Sequence, residues 1–209
     1  MERSIILKAH DVRGILDGRQ TQLRRIIKPQ PFCKEVFQRR LRSGRMAWTQ
    51  GGHGPDMVVA VGHFDCPFGE VGDRLWGRET WSWMPQQGTF SIQDTQTLFP
   101  GAFIYQADER VNFLGEWDWC SSSQMPRWAS RILLEIVSVR VERLQDISEK
   151  DARAEGCPYP AEWAGRYIDR DETAKTWFAT ELNCANGQGS WDANPWVWAV
   201  EFKRVAADE

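Results

Sequence analysis

Gly18-Arg19-Gln20-Thr21-Gln22-Leu23-Arg24-Arg25 is the stretch on which the fold turns. Ahead of it, Ile5, Ile6 and Leu7 make a short apolar strand candidate, and Val12, Ile15 and Leu16 recur at helical spacing until Asp17-Gly18 stops the helix. The arginines therefore fall just past a helix end, where a second strand is expected to begin. A guanidinium is a planar fork of donors that matches phosphate oxygens or a base edge, so Arg24, Arg25 and nearby Lys28 are candidates for an anion-binding wall. A solvated charged strand is the alternative.

Downstream, the pattern alternates between strand and short helix. Ile132, Leu134 and Ile136 alternate on one parity and Val137, Val139 and Val141 on the other, so one face stays apolar only if a bulge intervenes near Ile136 and Val137. Ser148 with Asp151 makes a capping pair that predicts a helix from Glu149 to Glu155, ended by Gly156. Glu155 then sits at a helix C-terminus, where the dipole disfavours a carboxylate, a placement that calls for a cationic partner or a functional reason. A second helix is expected over Thr173 to Leu182, with Trp177, Phe178 and Leu182 inward. The last strand is expected where Trp196, Trp198, Val200 and Phe202 alternate, after a polar loop in which Asp192 and Asn194 suit turns.

Strand, helix and then the glycine-to-arginine run resemble the signature of the ASCH domain, a PUA-like small β-barrel. Gly18 and Arg25 match the signature glycine and arginine, and Ile15 through Arg25 is similar to phage and prophage ASCH proteins. The resemblance extends to Cys66-Pro67-Phe68-Gly69-Glu70-Val71-Gly72-Asp73-Arg74-Leu75-Trp76-Gly77-Arg78-Glu79-Thr80-Trp81, to Met125-Pro126-Arg127-Trp128-Ala129-Ser130-Arg131, and to Gly189 through Trp198. It implies an α+β fold built on a small PUA-like (ASCH) β-barrel, with flanking short helices and inserted loops. Residues 1–209 are then one domain, with insertions near 34–56, 82–102 and 158–172.

Gln20 stands where the signature has lysine, and Leu23 where it has threonine or glutamate. In the small bacterial ASCH enzymes that hydrolyse acetylated cytidine, the resemblance implies a lysine, a threonine and a downstream glutamate acting together at an amide. Gln20 carries no charge and Leu23 no hydroxyl, so two of the three roles are unfilled, and Glu155 alone matches the third. The resemblance therefore speaks for the fold more than for that reaction.

Composition narrows the rest. The chain has 209 residues and a formal net charge of −3, so any nucleic-acid surface must be local rather than a general positive coat. No apolar run of about 18 residues and no apolar leader is present, which points to the cytoplasm, or to the host cytoplasm if the protein is phage-encoded, and away from membranes. The five cysteines (Cys33, Cys66, Cys120, Cys157 and Cys184) lack paired close spacing, which suits reduced thiols. His53, His63, Cys66 and Cys33 form no metal pattern, and neither a metal nor a cofactor is expected.

Of the 12 tryptophans, Trp76, Trp81, Trp196 and Trp198 lie on strand-like segments and read as packing. Trp128 lies between Arg127 and Ser130-Arg131, where an aromatic face beside cationic forks suits base stacking. Phe37 to Arg45 carries four arginines and reads as a hairpin arm that tracks a phosphate backbone or is simply a charged exposed hairpin. The leading expectation is a protein that binds RNA, single-stranded nucleic acid or a nucleotide. Arg24, Arg25, Arg127, Trp128 and Arg131 would line a basic cleft, and Thr21 and Glu79 would add polar contacts. The alternatives are a hydrolase of modified nucleosides or a ribonuclease using Glu155 or Glu79 as general acid or base, and a phage-encoded protein that binds a host protein.

Overall fold

The computed structural model describes residues 1–32, 35–42, 46–54, 57–83, 103–108, 118–159 and 173–205. Strand β1 (Glu2–Ile6) leads through helix α1 (Ala9–Leu16) to β2 (Gln22–Ile26). There follow β3 (Glu35–Arg40), β4 (Met46–Gly54), β5 (Met57–Phe64), β6 (Arg74–Arg78), β7 (Trp81–Trp83) and β8 (Phe103–Tyr105). The chain continues with β9 (Leu133–Arg143), α2 (Glu149–Ala154), α3 (Ala174–Asn186) and β10 (Trp196–Val205). Much of this follows the sequence pattern. Ser148 accepts from the Asp151 amide at the start of α2, Thr173 does the same for Thr176 at the start of α3, and Gly156 leaves α2 with φ +95°, a conformation that glycine adopts without strain.

A mixed five-stranded sheet has the order β1-β6-β9-β10-β2, in which β1 and β6 are parallel and the other pairs antiparallel. The expected bulge is present: Glu201 pairs with Ser138 and Phe202 with Ile136, so Val137 is the extra residue and is 47% exposed. Below it the apolar face continues through Val139 and Val141, which pack against the core. The arginine-rich arm is indeed a hairpin, β3 with β4, to which β5 adds a third antiparallel strand. Arg45 lies outside the described residues, as do Cys33 and the greater part of the expected insertions 82–102 and 158–172.

The two sheets face one another across the main core. Trp198 of β10 is the contact residue, its ring 5.7 Å from Trp48 and 5.5 Å from Phe64 in edge-on geometry. Ile5, Val12, Ile15, Leu23, Leu134 and Phe202 fill the space behind it. A second cluster packs α2 and α3 against Val197, through Leu144, Ile147, Ala152, Phe178 and Leu182.

The architecture is α+β, but among the described residues no sheet closes into a barrel. β1 and β2 are the two edges of the five-stranded sheet and do not pair. A side chain reaches between them instead: Arg25 on β2 donates from Nη2 to the Ile6 carbonyl at the end of β1, at 3.1 Å. Among the described residues no helix is long and apolar enough to cross a membrane.

Trp198→Ala is expected to cost about 3–5 kcal/mol in urea unfolding, since it empties the contact between the sheets. Val137→Ala, on the exposed bulge, is expected to change stability by less than about 0.5 kcal/mol in the same assay.

Candidate functional site

Period-two alternation divides the residues of the signature run between two faces. Leu23 turns into the core with Trp198 and Val200, while Gln22 and Arg24 lie on the opposite face, where the register aligns them with Glu201 and Ala199 of β10 and, beyond, with Ser138 and Arg140 of β9. Adjacent strand residues point to opposite sides, so Arg24 and Arg25 do not form one wall.

Arg24 is the hub of the polar face, its side chain wholly shielded from solvent. Its Nε and Nη2 donate to Glu142 Oε1 at 2.9 and 2.6 Å, and its Nη1 donates to Glu155 Oε1 at 2.7 Å and to Gln22 Oε1 at 3.1 Å. The Arg24 amide donates to Glu155 Oε2 at 3.1 Å. Gln22 in turn donates to Asp151 at 3.1 Å and to Glu201 at 3.3 Å, and Arg140 lies within 3.8 Å of Glu142, Asp151 and Glu201. Burial pushes the Glu155 carboxyl up, against the pull of Arg24; burial opposes the charge on Arg24 too, but Glu155 and Glu142 outweigh it and hold the guanidinium above its ordinary value.

Arg25 belongs to the neighbouring group on α1. It donates to Asp11 Oδ2 at 3.2 Å and to the Ile6 and Arg24 carbonyls. Gln20 donates from Nε2 to Asp11 Oδ1 and to the Gln22 carbonyl, and His10 Nε2 lies 3.3 Å from Asp11 Oδ1. Burial opposes the charge on Asp11, yet the His10 hydrogen bond and Arg25 outweigh it and hold the carboxyl well below its ordinary 3.8.

The structure thus brings together Gln20 and Glu155, whose backbones form an isolated bridge, with Thr21 beside them donating its amide to the Ala154 carbonyl. It uses their side chains differently from the amide-hydrolysing pattern. Each Glu155 oxygen already accepts from Arg24, and Gln20 donates to Asp11 rather than facing a free cavity. The cleft over Asp11, Arg24, Arg25 and Glu155, beneath α3, has a volume of about 50 Å³. That is room for a water or two and not for a nucleoside.

The other expected residues form a second group past the end of β6. Arg131 grips Glu79 with Nε and Nη2, both at 2.9 Å, and Asp108 with Nη1 and Nη2 at 3.0 and 2.8 Å. Its guanidinium lies 3.9 Å over the Tyr105 ring. Burial pushes the Glu79 carboxyl up despite Arg131, and burial pushes the Tyr105 phenol up to about 12. Arg127 pairs with Glu2. Trp128 is 37% exposed, its ring backed by Phe103 at 5.3 Å and Trp81 at 6.4 Å. No hydrogen bond or ion pair joins the two groups among the described residues. Arg24, Arg25, Arg127 and Arg131, expected to line one basic cleft, are each engaged by a carboxylate.

The chain matches no family model, no curated protein and no solved structure. Its chemistry is therefore read from its own residues.

Glu142, Asp151, Glu201 and Asp11 carry most of the negative charge here; in the sequence Asp151 is read only as a capping partner and the other three not at all. Two signals were present. Gln22-Leu23-Arg24 and Arg140-Val141-Glu142 both alternate polar with apolar, which marks a strand face that is polar throughout. Asp11 lies three residues past Lys8, whose amide donates to it at 3.0 Å as a helix start requires.

Two outcomes follow for the buried charges. Glu155→Gln is expected to destabilise by about 1.5–3 kcal/mol in urea unfolding, because it removes the more deeply buried of the two carboxylates to which Arg24 donates and leaves only Glu142 hydrogen-bonded to it, whereas pairing it with Arg24→Met recovers most of that loss. Asp11 is depressed in the folded state, so its contribution is complete above its ordinary value and disappears as the pH falls through the folded one. Between about pH 5 and 2 the urea midpoint of Asp11→Asn is expected to fall less steeply than that of the unsubstituted protein.

Proposed function

We propose that this chain is a PUA-like domain of the ASCH type that binds single-stranded nucleic acid, with RNA as its first candidate, by stacking a base on Trp128. The observation that carries this reading is the setting of that ring: Trp128 is exposed to solvent while Trp81 packs edge-on and Phe103 tilted against it. A ring fixed in this way loses little freedom on binding, and stacking on it is worth about 1–3 kcal/mol per base whatever the base. The fold supports the reading in outline, since it has a mixed five-stranded sheet with a bulge in β9 and one short helix between its edge strands in the chain.

The charge arrangement shapes the expected ligand. Arg127 next to Trp128 is bound to Glu2, and Arg131 to Glu79 and Asp108. These guanidinium groups are partly neutralised, so a polyanionic duplex gains little here, whereas a single base with one or two phosphates gains from the ring itself. Trp128→Ala is expected to weaken binding of short single-stranded RNA at least about tenfold, with Trp128→Phe recovering most of it. Fluorescence titration over a range of salt is expected to give a shallow logarithmic slope of about −0.7 to −1.4, as for one or two phosphates neutralised. Equal binding by Trp128→Ala and the unsubstituted protein sinks this reading.

A further inference from the structure

A cavity of about 580 Å³ opens between the segment after β2 and strands β4 and β5, with Trp198 in its lining. Its walls are fixed. Gln30 donates to the Ile27 and Trp196 carbonyls and accepts from the Trp196 amide, which clamps the 28–31 segment to β10. Gln50 Oε1 accepts from the Phe32 amide at 3.1 Å and ties the same segment to β4. The cross-strand pair Thr49 and His63 is joined by a 2.9 Å hydrogen bond at His63 Nδ1. Phe64 packs edge-on against Trp198.

Within these walls the chemistry is mixed. Phe64 and Phe68 supply aromatic surface, and Phe32 stands at the rim 72% exposed. Gln50 uses its oxygen on Phe32 and leaves Nε2 without a partner among the described residues. Lys28 is exposed and forms neither an ion pair nor a hydrogen bond among the described residues, in contrast to the arginines of the two groups above. Asp65 also lines the cavity and is already partnered, so Lys28 is the uncommitted charge among the described residues, and with fixed polar atoms and several aromatic rings it makes a site for a flat ring bearing an anion. The volume is in the range of small-molecule sites and too confined for a duplex.

We infer that this cavity binds one nucleotide, its base among Phe32, Phe64 and Phe68, its ring edge toward Gln50, and its phosphate on Lys28. The source is either a free mononucleotide or the phosphorylated end of a strand, which share this chemistry. The site is separate from Trp128 and stands independently of the stacking proposed there.

The experiment is isothermal titration of the full chain with AMP, UMP, adenosine and a 5′-phosphorylated hexaribonucleotide. It is repeated with Lys28→Ala, Phe32→Ala and Trp128→Ala, all substitutions at exposed positions. Binding of a mononucleotide or of the phosphorylated strand, weakened at least about tenfold by Lys28→Ala and by Phe32→Ala, supports the site. For AMP and UMP the Trp128→Ala protein is expected to bind as the unsubstituted one does, which separates this cavity from the stacking surface. Mononucleotide binding points to a free nucleotide, and binding by the strand alone points to a strand end. Three results overturn the proposal: no binding by any nucleotide or by the strand at about 1 mM, binding unchanged by both Lys28→Ala and Phe32→Ala, or adenosine binding as tightly as AMP.

Discussion

A guanidinium with no access to water must be met by acceptors, and the burial of Arg24 imposes that demand at the meeting point of β2, β9 and α2. Glu142 comes from β9, Glu155 from the end of α2, and Gln22 from the same strand as the arginine. Unpaired burial of this charge would cost several kcal/mol, so the geometry of all three elements is constrained together. Glu155 adds a second tie because its other oxygen accepts from the Arg24 amide, an edge-strand donor that no neighbouring strand takes up. The outer face of the sheet is consequently a hydrogen-bonded polar layer rather than a second apolar core, and α2 and α3 reach apolar packing at its end, around Val197.

Local elements were the legible part of the sequence. The bulge at Val137, the cap at Ser148, the glycine stop at Gly156 and the alternating last strand all rest on patterns a few residues long, and the structure has them. The pairing of charges was not legible in the same way. Arg24 meets Glu142 and Glu155 across 118 and 131 residues, and no local spacing announces partners at that separation. Reading Arg24 and Arg25 as one wall also set aside the two-residue period of a strand, which sends neighbours to opposite faces. The absence of closure among the described residues was hidden for a related reason: whether two edge strands hydrogen-bond depends on sheet curvature, which a sequence pattern expresses only through its bulges.

The self-pairing of charge gives the surface its character. Arginine after arginine has a carboxylate beside it, in keeping with a chain whose formal net charge is −3. Recognition that relied on a broad positive field would contend with this balance, whereas recognition by flat aromatic surfaces does not. Among the aromatic side chains exposed at the surface are Trp128 beside β7 and β8 and Phe32 after β2. Each is attached to a rigid backing, the first through Trp81 and Phe103 and the second through the Gln50 hydrogen bond.

The position of β10 bears on how the molecule is made. Its residues, Trp196–Val205, lie between β9 and β2, so the strand that joins the two parts of the large sheet emerges from the ribosome after every other described strand. Until then β2 has no strand neighbour, Trp48 and Phe64 lack the ring they pack on, and β9 can pair only with β6. Most of the nascent chain must therefore wait, with apolar surface uncovered, for contacts that span about 170 residues between Arg25 and Trp198. Synthesis of this protein is expected to leave a long interval in which a chaperone, rather than the native sheet, covers that surface.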